Sequence, residues 1–122
     1  MKEIKFRLFS LREKKFVSTK YLQISKEGKL IVPNGCRASE FTGLKDKNGK
    51  EIYEGDIVKV KKSHKEIRDV VFEDFAWVTR KIYKGKDGHT SLYCLSKHET
   101  YEVIGNIYEN PELLKKWPSY TN

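Results

Sequence analysis

The chain has 122 residues, 38% hydrophobic and 34% charged, and a net charge of +8 from 25 Lys and Arg against 17 Asp and Glu. That length suits one core and argues against two, and a polar composition that still carries seven Tyr, six Phe and two Trp fits a folded domain better than a disordered one. No apolar run reaches the roughly 20 residues that cross a bilayer, and the start MKEIKFRLFSL has neither a sustained apolar stretch nor a small-residue cleavage site, so the expected place is the cytoplasm.

In chain order, KEIKFRLF alternates Ile4, Phe6 and Leu8 with Lys5 and Arg7, the period of a half-buried strand with a basic wet face. A charged turn over residues 10–15 leads into FVSTKYLQI, a β-rich run, and Lys26-Glu27-Gly28-Lys29 turns the chain into Leu30-Ile31-Val32. Pro33-Asn34-Gly35 ends that strand, and a loop over Cys36 to Glu40 is expected next. Asn48-Gly49 then predicts a two-residue type I′ hairpin turn, with positive φ at both positions. Gly55 marks a second turn before Ile57 to Lys61, a strand with one dry and one basic face. Residues 63–69 are too polar to assign. VVFEDFAWVTRKIY, Val70 to Tyr83, reads as one long bent or bulged strand, closed by Gly85 to Gly88 onto His89 to Leu95.

Thr100 to Tyr108 is a further strand, and Gly105 within it predicts a bulge or a close backbone approach. A short helix follows, with Asn110 as N-cap, Pro111 at its first position and Pro118 as its stop. Short strands, frequent turns and one terminal helix give a mainly β fold over a single domain, residues 1–122: a small SH3-like or related β-barrel with extra hairpins, or else a split sheet whose edges a neighbouring protomer covers.

Chemistry is sparse. Cys94 and His98 lie four apart with His89 nearby, but a fourth ligand would have to be the distant Cys36 or His64, so neither a metal nor a cofactor is expected; Cys36 and Cys94 read as two buried thiols. Asp46, Glu51, Glu54 and Asp56 crowd one segment, yet they interleave with Lys45, Lys47 and Lys50 as a solvated hairpin does. No catalytic set can be placed and no small-molecule substrate is expected.

Charge is uneven. Residues 1–40 hold ten basic against four acidic side chains, whereas residues 99–122 hold two against four. Basic residues interleaved with aromatics, Lys5, Arg7, Arg12, Lys14 and Lys15 near the start and Arg80, Lys81 and Lys84 beside Trp77 and Tyr83, are the candidate contacts for DNA or RNA, with a core role for the aromatics as the plainer reading. Tyr108, Leu113, Leu114 and Trp117 in the acidic tail are candidates for docking on the basic first third of a second copy.

The segment FTGLKDKNGKEIYEGDIV, Phe41 to Val58, together with EVIGNIYENPELL, Glu102 to Leu114, and the start IKFRLFSLREKKF, resembles the YopX family of phage and prophage proteins over essentially the whole chain. The start departs from the family's frequent form, in which a tryptophan and an acid stand near Phe9 and Ser10. The resemblance implies a mainly β, barrel-containing fold, a phage or prophage origin in a Gram-positive bacterium and self-association, and it carries over no catalytic residue. The expected function is that of a non-enzymatic, homo-oligomeric phage accessory protein; the alternative is a nucleic-acid-binding module.

Overall fold

Strand β1 (Phe6–Ser10) starts two residues into the alternating run, leaving Ile4 exposed, and it lies inside a sheet, between β2 (Lys15–Val17) and β5 (Cys36–Lys45), with Leu8, Phe9 and Ser10 all buried. The computed structural model describes residues 3–61, 65–82 and 90–116. It is mainly β, and its sheet curls into a half-barrel that ends in one short helix, α1 (Glu112–Lys116). One sheet has the order β2-β1-β5-β6, with β6 at Glu51–Tyr53. The second runs β10-β9-β8-β7-β11, from β7 (Asp56–Lys61), β8 (Lys65–Glu73), β9 (Ala76–Ile82), β10 (Thr90–Cys94) and β11 (Tyr101–Asn106). A small ribbon pairs β3 (Gln23–Ile24) with β4 (Leu30–Ile31), and the run before it is broken by a 3-10 turn at Thr19–Tyr21 capped by the Ser18 hydroxyl.

Three local expectations give way to tertiary context. Cys36 to Glu40 is not a loop but the first half of a ten-residue strand, paired along β1 from Phe6↔Glu40 to Ser10↔Cys36; its small and polar residues have little β-propensity, and the partner strand decides. The single strand expected over Val70 to Tyr83 is, as far as Ile82, part of the β8–β9 hairpin, turning at Asp74 and Phe75 with φ of 50° and 64°; Tyr83 lies outside the described residues. Positive φ at both central residues is the type I′ geometry, met here without the glycine or asparagine that normally announces it. At Asn48-Gly49, conversely, only Gly49 has positive φ; Gly49 N–H donates to Asp46 O at 3.0 Å and Asp46 N–H to Lys50 O at 2.7 Å, which makes a three-residue loop with a glycine bulge.

Ile52, Val58, Val60, Val70 and Tyr101 form the main core, flanked by Leu44, Trp77, Leu95 and Val103. The outer edge of β11 is not left bare: Lys47 N–H donates to Tyr101 O and Val103 N–H to Asp46 Oδ2, both at 2.9 Å, so the β5–β6 hairpin closes that edge and joins the two sheets. The register of β11 on β7 shifts between Val103 and Gly105, as the glycine foretold. A Cβ at Gly105 would lie 2.6 Å from Asn110 Oδ1, because Asn110 turns its side chain back to accept Asn106 N–H at 3.2 Å instead of capping α1; its carbonyl accepts from Leu113 N–H.

Candidate functional site

Four of the eight basic side chains that the sequence offered as a nucleic-acid surface, Lys5, Arg7, Arg80 and Lys81, are paired within the fold. Lys5 Nζ donates to Glu51, a bond that raises the lysine and lowers the carboxyl from their ordinary pKa values. Arg7, on β1, donates through Nη2 to Asp56 Oδ1 at 2.6 Å, and its guanidinium lies 4.7 Å from the ring centre of Phe16 and 4.8 Å from that of Tyr53. Asp56 is 1% exposed and also accepts Tyr53 N–H; burial pushes its carboxyl above the usual range in spite of Arg7. Arg80 grips Asp69 with Nε at 3.1 Å and Nη2 at 2.6 Å.

Lys81 and Glu66 belong to a buried polar cluster on the core face of the second sheet. Arg68, 0% exposed, donates to Glu66 Oε2 through Nε (3.0 Å) and Nη2 (2.6 Å), to Thr79 Oγ1 (3.1 Å) and to Glu99 (3.5 Å), under the Tyr93 ring at 3.9 Å. Lys81 Nζ meets Glu66 Oε1 at 3.3 Å. Burial raises the Glu66 pKa, but Arg68 and Lys81 outweigh it and the carboxyl titrates below its ordinary range. Charges so matched make a lock between strands rather than an acid-base pair awaiting a substrate.

The remaining candidates split. Arg12, Lys14 and Lys15 are exposed on and beside the turn between β1 and β2, Lys15 within 3.7 Å of Glu13, while Lys84 lies outside the described residues. Of the docking candidates, Tyr108 stacks on Phe9 at 5.0 Å within its own chain, Leu113 and Leu114 are half-buried on α1, which packs on β8, and Trp117 lies outside the described residues. Cys36 is half-buried, but Cys94, expected to be buried, is exposed on an edge strand. Among the described residues no group of three His, Cys, Asp or Glu is placed to hold a metal ion, and none of the helices is long and apolar enough to cross a membrane.

Three surface features draw mostly on residues outside those candidate sets. A groove of about 200 Å³ brings together Lys47, Lys59 and Lys61 beside Thr100, Tyr101 and Glu102, with Lys47 within 3.4 Å of Glu102. A cavity of about 430 Å³ opens between β1, β2 and the 3-10 turn, with Leu8, Phe16, Val17, Tyr21 and Pro33 among its walls and Lys15 and Lys20 at its margin. Large apolar side chains stand out in water, among them Ile4 (76% exposed) before β1, Ile24 (72%) on the small ribbon and Phe75 (96%) at the β8–β9 tip. The charge at Lys59 and Lys61 was legible as one face of a strand, but its convergence with Lys47 needed the β11 pairing; Phe75 carried no signal while its turn went unseen.

The model of the YopX protein family matches residues 5–115. No curated protein matches. Among solved structures, the fold is similar to that of protein YopX from Bacillus subtilis (TM-score 0.58) and of protein EF1440 from Enterococcus faecalis (TM-score 0.55); each is 24% identical, over 93% of this chain and 99% of the other.

Proposed function

Since the chain belongs to the YopX family, we propose that it is a self-associating β domain without catalytic activity, an accessory protein of a phage or prophage. The observation that carries this reading is the set of large apolar side chains held out on short hairpins, Ile24 on β3 and Phe75 beyond β8. Scattered exposed apolar residues are ordinary on any surface, but a phenylalanine placed at positive φ, where it serves its own fold least, is not. Matched internal pairs on Lys5, Arg7, Arg80 and Lys81 agree with a structural role for charges that would otherwise favour a nucleic-acid surface. Light scattering on the purified chain at high concentration and low salt tests the proposal: a mass above that of one chain is expected, and a monomer throughout would defeat it.

A second reading, a nucleic-acid-binding module, is favoured by one feature, the convergence of Lys47, Lys59 and Lys61 on one groove. It predicts affinity for labelled DNA or RNA that falls steeply with salt, by a log-log slope of about 0.9 per phosphate contact on duplex DNA. Charge reversal at Lys59 and Lys61 should flatten that slope; a slope unchanged by both substitutions removes the groove from consideration.

A further inference from the structure

The β8–β9 tip combines four properties. Phe75 is 96% exposed; its backbone sits at φ 64°, a region that disfavours residues with a Cβ; Phe72 beside it is half-exposed, edge-on to Trp77 at 5.0 Å; and Glu73 and Asp74 make the tip acidic in a chain of net charge +8. A large aromatic kept at a strained position and 96% exposed has the form of an anchor for something outside the chain.

Two hollows of the same chain, each with apolar walls among polar ones, are roomy enough for a benzyl group, and charge separates them. The cavity of about 580 Å³ between Phe9, Leu11, Tyr108 and Pro111 is bordered by Lys14, Glu109 and Glu112, an acidic balance that repels Glu73 and Asp74. The cavity of about 430 Å³ beside β2 is bordered by Lys15, Lys20 and Glu13, a basic balance that attracts them. Resting on the self-association reading above, we infer that Phe75 of one copy inserts into the cavity lined by Leu8, Phe16, Val17 and Tyr21 of a second copy, with Glu73 and Asp74 facing Lys15 and Lys20. The two surfaces differ, so each copy gives a knob and receives one, either reciprocally across a two-fold dimer or head to tail in a ring or an open chain.

Phe75→Gly makes a discriminating test, because Asp followed by glycine suits a type I′ turn and the substitution relieves the strained residue while deleting the knob. The variant should melt no lower than the parent chain, yet its self-association should weaken by about thirtyfold or more, the effect of losing an interface anchor. Val17→Trp, placed on the half-buried cavity wall, should likewise block assembly from the other side. Mixed together, the two variants retain one intact knob and one intact cavity between them and should form a 1:1 heterodimer and nothing larger. Rising salt should weaken the parent assembly. A parent chain that is monomeric at every concentration overturns this contact and the self-association reading alike. A parent chain that assembles while Phe75→Gly assembles equally well overturns the contact and leaves that reading standing, and so does a mixture of the two variants that stays monomeric.

Discussion

Arg7 Nη2 lies 2.6 Å from Asp56 Oδ1, and this bond ties β1 of the first sheet to the opening of β7 in the second, with Phe16 and Tyr53 packed against the guanidinium. Replacement by methionine keeps apolar bulk beside both rings but strands Asp56 in the interior. Arg7→Met should therefore lose about 3 kcal/mol of unfolding free energy in urea titration, within the range for breaking a buried pair. Adding Asp56→Asn should recover part of that loss; a double variant as unstable as the sum of the two single ones would mean that the pair is not coupled.

Asp46 should contribute to the acid limb of stability, beside Glu51 and Glu66, whose carboxyls are also held low. Its burial favours the neutral form, but its carboxylate accepts three backbone N–H groups, Asn48 at 2.8 Å, Lys50 at 2.9 Å and Val103 at 2.9 Å, and these together hold its pKa below the ordinary range. A lowered carboxyl contributes stability that is complete above its unfolded pKa and fades as pH falls through the folded value. Asp46→Asn should lower stability at pH 7 and make the decline between about pH 5 and pH 2 shallower than in the parent chain. Urea midpoints at stepped pH measure this, and parallel curves for the two proteins would show that Asp46 does not carry the effect.

Gly55 stands where the chain passes from β6 to β7. Its N–H donates to Val70 O and its carbonyl accepts from Ile107, so its φ of 86° is fixed by bonds on both sides, and an added Cβ would meet Ile107 Cγ1 at 3.4 Å. Gly55→Ala should cost about 1–2 kcal/mol, the penalty of a left-handed L-residue, read as a lowered thermal midpoint. An unchanged midpoint would mean that this junction relaxes.

Within the polar cluster, removal of the acid should be worse than removal of its main partner. Glu66→Met leaves Arg68 and Lys81 buried without their shared carboxylate and should cost about 3–5 kcal/mol, whereas Arg68→Met leaves Glu66 with Lys81 and should cost less. The reverse order in thermal melts would show that Arg68 contributes chiefly by packing under Tyr93.

How much of this was legible beforehand depended on whether a feature was local. Gly55, Gly105 and Pro33 punctuated the chain where the structure turns, bulges or ends a strand, since backbone freedom is a property of single residues. Cys36 to Glu40 and the Asp74-Phe75 turn were not, because one is a strand only through β1 and the other a hairpin only through the pairing of Phe72 with Trp77. The basic candidates show the same limit: Lys5, Arg7, Arg80 and Lys81 were visible as charges, but their partners Glu51, Asp56, Asp69 and Glu66 lie 11 to 49 residues away. A sequence exposes a charge and conceals what neutralises it.

Sedimentation equilibrium of the full chain over a wide concentration range tests the central claim most directly. Self-association predicts a fitted mass that rises with concentration toward a multiple of the single-chain mass and falls back as salt is added; a single-chain mass at every concentration and salt would contradict it.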